Sequence, residues 1–234
     1  MFRPPLEEAQ KYLKDYSVIP VYKEIFADVK TSVEILKNFL KENKKCFLLE
    51  SVENGESWGR YSFLGCDPKL SASCRDGKVV IDDSKITEVQ TEEPVKVLRE
   101  ILSKYKSPKF DFLPPFTGGF VGYFSYDYIK YVEKSLKLEN RNAENFDDFS
   151  LMLFDKIIAV DHFKQKIFII ANAASDNFEI NYEQAKKDIA ELEKIIKSPS
   201  SDINFKSELK SDLRLLHNEE EFSAMIEKIK KHIF

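Results

Sequence analysis

The amino-acid sequence predicts an α+β fold, with a mixed or antiparallel sheet and packed helices. Three observations carry this. Short apolar runs are joined by tight turn signals such as Asp76-Gly77, four longer segments repeat with a helical period, and there is no regular strand–helix–strand alternation. Composition agrees: the 234 residues include 19 Phe, 10 Tyr and 1 Trp, rings that need a packed interior and exclude disorder. With 36 basic and 40 acidic residues, the net charge of −4 gives no electrostatic reason to bind nucleic acid or an anionic membrane. No run of ~18 apolar residues occurs, and Met1-Phe2-Arg3-Pro4-Pro5 opens no signal peptide, so a soluble cytoplasmic protein is expected.

Thr31-Ser32 can cap a helix with Val33, Leu36, Phe39 and Leu40 as its apolar face. Cys46-Phe47-Leu48-Leu49 reads as a short strand buried on both faces. After a turn at Glu53-Asn54-Gly55-Glu56, Arg60 to Leu64 alternates as a second strand, with Gly65 allowing a positive φ at its end. Leu70 to Cys74 and Lys78 to Ile81 flank the Asp76-Gly77 hairpin. Pro94 starts a helix with the face Val97, Leu98, Ile101, Leu102 and Tyr105, and Pro108 ends it. An aromatic, glycine-rich stretch follows from Pro114, then a polar loop from Glu139 to Asp148 in which Asp147-Asp148 reads as a solvated pair. Leu151 to Val160 and Lys166 to Ala171 form a long hairpin, and Tyr182, Ala185, Ile189, Leu192 and Ile196 mark a third helix. Residues 1–198 are expected as one domain, 199–218 as a linker and 219–234 as a helix opening a further domain. Asn218 and Glu221 outline that helix's capping box, and its stripe Phe222, Met225, Ile226, Ile229 and Ile233 runs to the end of the chain.

Few residues suggest chemistry. Cys46, Cys66 and Cys74 are odd in number and lack C-x-x-C spacing, and the three histidines are scattered, so packing is the reading for all six. There is no triad, metal cluster or phosphate loop, and the glycines of Gly118-Gly119-Phe120-Val121-Gly122 suit close backbone approach better than a phosphate cradle. One candidate pocket remains. At the end of an apolar strand, Glu50 would accept from an ammonium and Ser51 would donate to a carboxylate, a pair suited to an amino acid; a solvated strand end is the plainer alternative. Arg60 either offers a guanidinium to a carboxylate ligand or runs its stem past neighbouring rings.

In order, Ile19-Pro20-Val21, Phe47-Leu48-Leu49-Glu50-Ser51-Val52-Glu53, Trp58-Gly59-Arg60-Tyr61-Ser62-Phe63-Leu64-Gly65, Pro114 to Tyr123, Tyr126-Asp127 and Glu133 resemble the N-terminal part of anthranilate synthase component I, the chorismate-using subunit of tryptophan biosynthesis. The L-L-E-S run favours that family over its paralogue, aminodeoxychorismate synthase component I. The resemblance implies an inhibitory L-tryptophan site formed in part by Leu49, Glu50 and Ser51, with Pro20 matching a feedback-associated proline and Arg60 falling near a basic residue of the site. It also implies a glutamine amidotransferase partner (component II), which supplies ammonia. A chorismate-binding catalytic domain would follow the helix Glu219 to Ile233, with the Mg²⁺ and catalytic residues there and none here. The chain is thus expected to be a catalytically inactive part that exposes apolar surface. A stand-alone amino-acid-sensing module is the alternative.

Overall fold

The computed structural model describes residues 1–27, 30–42, 44–50, 59–133, 135, 145–199 and 216–233. The chain divides into two units, Met1–Asp202 and Ile203–Phe234. In the first, the strands are β1 (Val18–Phe26), β2 (Cys46–Leu49), β3 (Tyr61–Cys66), β4 (Leu70–Arg75), β5 (Lys78–Asp82), β6 (Ile86–Gln90), β7 (Gly119–Phe124), β8 (Phe149–Phe154), β9 (Lys156–Asp161) and β10 (Lys166–Ala174). The helices are α1 (Leu6–Ala9), α2 (Ser32–Lys41), α3 (Pro94–Ser103) and α4 (Phe178–Lys197). The strands form two five-stranded sheets, ordered β1-β10-β9-β3-β2 and β6-β5-β4-β8-β7, with every pairing antiparallel.

Alternation along the strands builds three cores. One face of the first sheet (Ile19, Val21, Leu64, Ile158, Val160, Ile167, Ile169) is covered by Ile35 and Phe39 of α2 and by Tyr182, Ala185, Ile189, Leu192 and Ile196 of α4. Its other face (Phe47, Ile157, Ala159, Phe168, Ile170) meets Phe154 of β8 and Leu113, with Met152, Val121, Phe110 and Phe116 at the margin. The second sheet turns Leu70, Ala72, Val79, Phe149, Leu151 and Leu153 toward Leu98 and Ile101 of α3. Each such side chain contributes ~1.5–3 kcal/mol when fully buried.

Several elements depart from the sequence reading. The stretch Leu151 to Val160 is two strands: the chain leaves β8 in one sheet at Asp155 and enters β9 in the other, so the apolar runs on either side of Asp155-Lys156 serve different sheets. β2 is an edge strand and is not buried on both faces; Leu49 is 50% exposed. In α2 the buried positions are Ser32, Ile35, Asn38 and Phe39, whereas Val33 and Leu40 are exposed. The face is rotated because Asn38 donates from Nδ2 to the Ile195 carbonyl at the end of α4, at 3.0 Å. α3 ends at Ser103, five residues before Pro108. Gly65 lies inside β3; a Cβ there would come within 2.4 Å of the Phe47 ring, so close packing explains it, not a positive φ.

Asp148 is also corrected. It is 6% exposed and holds together two segments far apart in sequence. It accepts from the Asp76 N–H (2.8 Å) and the Tyr131 hydroxyl (2.7 Å) and pairs with Lys130 (2.7 Å), while Tyr131 Oη accepts from the Gly77 N–H (2.6 Å). The β4–β5 turn, where Asp76 and Gly77 both take positive φ, is thereby tied to the short helix Tyr126–Tyr131. The glycine stretch does allow close approach: a Cβ on Gly122 would lie 2.0 Å from the Ser150 carbonyl oxygen of β8.

In the second unit, α5 (Glu219–Ile233) starts on the expected capping box, with Glu221 N–H donating to Asn218 Oδ1 at 2.8 Å and Asn218 N–H to Glu221 Oε2 at 3.2 Å.

Two outcomes are expected in urea titrations of this chain. Asp148→Asn, which leaves Lys130 and the turn N–H without their anion, lowers unfolding free energy by ~2–4 kcal/mol. Gly122→Ala forces β7 from β8 and costs ~2 kcal/mol or more; an unchanged midpoint would refute the close approach.

Candidate functional site

Of the candidate residues, Leu49, Glu50 and Arg60 lie where β2 ends and β3 begins. Leu49 pairs with Phe63, Phe63 with Ala159, Ala159 with Phe168 and Phe168 with Glu24, one straight row across the first sheet. Leu49 therefore shares the face of Phe63 and points between the sheets. There it lines a groove of about 620 Å³ with Phe63, Phe116, Phe120, Phe124, Leu98 and Leu102. The groove is apolar, of a size that takes a small ligand. Arg99, on the same stripe of α3 as Val95, Leu98 and Leu102, is the cation among its lining residues.

Glu50 follows Leu49 and turns to the helical side, where its Oε1 accepts from the hydroxyl of Ser32. Ser32 is the first residue of α2, so the carboxylate lies at the positive end of that helix. Ser51 and the turn at 53–56 lie outside the described residues.

Arg60, at the start of β3, binds Asp161 with two hydrogen bonds, Nε to Oδ1 at 3.1 Å and Nη2 to Oδ2 at 2.6 Å. Its guanidinium lies 4.8 Å from the Tyr61 ring centre and 5.7 Å from that of Phe163. Arg60 thus lies against neighbouring rings, as one of its two sequence readings has it, and the carboxylate it grips belongs to the protein. The Asp161 side chain is fully buried, and it also accepts from the N–H groups of Phe163 (3.1 Å) and Lys164 (2.9 Å). Burial alone would raise its pKa; the Arg60 guanidinium and those N–H groups outweigh that and hold it below the usual carboxylate range. Beside it the His162 N–H donates to the Arg60 carbonyl at 2.9 Å, and Ser62 Oγ meets His162 Nε2 at 2.7 Å. The residue that leads into β3 is thus anchored to the β9–β10 turn.

Pro20 stands apart from these residues. It lies in β1, at the opposite edge of the sheet from β2 and four residues from Glu24, the end of the Leu49 row. Strand spacing and rise place it on the order of 20 Å from Leu49. Arg99 was missed by sequence reasoning because it reads as part of the polar face of α3; the signal was its place within the Val95, Leu98, Leu102 stripe. Among the described residues no group of three or more His, Cys, Asp or Glu side chains is placed to hold a metal ion, and no helix is long and apolar enough to cross a membrane.

Comparison with known proteins gives this geometry a context. A family model described as chorismate binding enzyme matches residues 44–234. Anthranilate synthase component 1 of Acetivibrio thermocellus is 34% identical, covering 100% of this chain and 49% of its own length. The Acinetobacter calcoaceticus protein of the same name is 32% identical over 93% of this chain and 44% of its own. The crystal structure of anthranilate synthase component I from Streptococcus pneumoniae TIGR4 superposes with a TM-score of 0.53 at 20% identity, over 89% of this chain and 45% of that one, and so supports the α+β fold. The chain spans about half the length of the curated relatives it matches. It belongs to the chorismate binding enzyme family.

Proposed function

We propose that this chain is the N-terminal, regulatory part of an anthranilate synthase component I. The complete enzyme would convert chorismate and ammonia to anthranilate, pyruvate and water, with ammonia released from glutamine by a component II subunit. The observation that carries the reading is the L-L-E-S hairpin of a chain aligned along its whole length with anthranilate synthase component 1, ending at an open apolar groove. Leu49 and the rings behind it suit the side chain of L-tryptophan, and the reading assigns the acceptor for its ammonium to Glu50, which must leave Ser32 to face the groove, and the donor for its carboxylate to Ser51. Arg99 is the nearer candidate for a cationic partner, since a ligand at Arg60 would have to compete with Asp161.

Catalysis belongs to the part of the relatives that this chain does not span. That part would also cover apolar side chains exposed here, among them Leu49, Leu102, Phe124, Val132 and Phe146. Mg²⁺ is assigned to it as well. Aminodeoxychorismate synthase has no observation in its favour beyond the shared family.

In the complete enzyme, Ser51→Ala is expected to raise the tryptophan concentration for half-inhibition by ~5-fold or more while leaving uninhibited turnover within about twofold. That is the range of an allosteric coupling of ~1–3 kcal/mol disturbed by one hydrogen-bonding group. Equal inhibition of variant and parent would end the assignment, and 4-amino-4-deoxychorismate as product would move the protein to the paralogous function. The isolated chain is expected to form no anthranilate from chorismate and ammonium and to show weak or no tryptophan binding by calorimetry.

A further inference from the structure

Nineteen residues lie between Cys46 and Cys66, a spacing that carries no redox signature. The fold nevertheless places them directly opposite each other: they are register partners in the β2–β3 pair. The ladder also fixes which kind of partners they are. The Asp67 N–H donates to the Lys45 carbonyl at 2.9 Å, the bond that flanks a pair which exchanges no hydrogen bonds of its own. Such pairs are the close ones, with Cα atoms ~4.5 Å apart and side chains on one face, at the short end of the ~4.4–6.8 Å range that a disulfide spans. Both side chains belong to the core between the first sheet and its helices, Cys66 within it and Cys46 at its margin. Both are free thiols.

We propose that Cys46 and Cys66 are a reversible oxidation site that closes a disulfide across the edge strand β2. Cys46 is partly exposed and Cys66 is 2% exposed, which sets the order of events. With a small disulfide such as oxidised glutathione as oxidant, the Cys46 thiolate attacks one sulfur and releases one glutathione, leaving a mixed disulfide. Cys66 then loses its proton, attacks Cys46 Sγ and expels the second glutathione. The protein gives up two electrons and two protons, and the oxidant becomes two thiols. Burial raises the Cys46 thiol and pushes Cys66 up to about 12, with the Asp67 carboxylate adding to both. The reaction is therefore slow at neutral pH and accelerates with pH as thiolate forms. The bond would tie the base of the hairpin that carries Leu49 and Glu50, and the proposal does not depend on what binds there.

Trypsin makes the test direct, because cleavage after Lys45, Arg60, Lys69 and Arg75 puts the three cysteines on separate peptides, 46–60, 61–69 and 70–75. The folded chain is incubated with oxidised glutathione at pH 8.5, acid-quenched, alkylated in denaturant, digested without reduction and analysed by mass spectrometry. The expected result is peptide 46–60 joined to 61–69 with Cys74 alkylated, reached faster at pH 8.5 than at pH 7. In Cys66→Ala the reaction stops with glutathione on Cys46. Peptides 46–60 and 61–69 recovered separately, or either of them joined to 70–75, would overturn the proposal.

Discussion

The bidentate contact between Arg60 and Asp161 is the constraint on which the site-bearing edge of the molecule depends. A fully buried carboxylate costs several kcal/mol unless its lone pairs are filled, and here four donor groups fill them: Nε and Nη2 of Arg60 and the N–H groups of Phe163 and Lys164. The same contact shapes the β9–β10 turn and fixes where β3 begins. Without it, β2 and β3 would hold to the rest of the sheet through the β3–β9 ladder and the side chains beneath them. Because the Asp161 pKa is depressed in the fold, the stability it contributes is present above the unfolded value of ~3.9 and is lost as pH falls through the folded one.

The second constraint is the passage of one segment through both sheets. Phe154 and Ile157 flank Asp155-Lys156 and lie in the core between the sheets, so the crossover that changes sheet also joins them. A sheet switch of this kind brings β7, the edge of one sheet, beside the β2–β3 hairpin of the other, and the groove lined by Leu49, Phe63, Val121 and Leu102 is where their side chains meet α3.

What the sequence revealed follows from the range of the interactions. Local signals read correctly: the Asp76-Gly77 turn, Pro94 at the start of α3, the α4 stripe and the Asn218–Glu221 box all arise within a few residues. The misses arise from distant partners. Nothing near Asp148 announces Tyr131 or Lys130, nothing near Arg60 announces Asp161, and the α2 face turned because Asn38 serves the end of α4. β6 escaped notice because its exposed Thr87, Glu88 and Gln90 give an edge strand little apolar alternation. For the candidate site, the hairpin carrying Leu49, Glu50 and Arg60 was legible as a motif, but Glu50 turning to Ser32 and Pro20 lying across the sheet were matters of register.

The account rests most heavily on Arg60 acting as an anchor within the fold. A double-mutant cycle tests this, with unfolding free energies measured in urea for the parent chain, Arg60→Gln, Asp161→Asn and the pair together. The account predicts a coupling of about 1.5 kcal/mol or more, because either substitution alone leaves the partner's charge without its counterpart. Effects that add to within ~0.5 kcal/mol would contradict it and return Arg60 to the ligand.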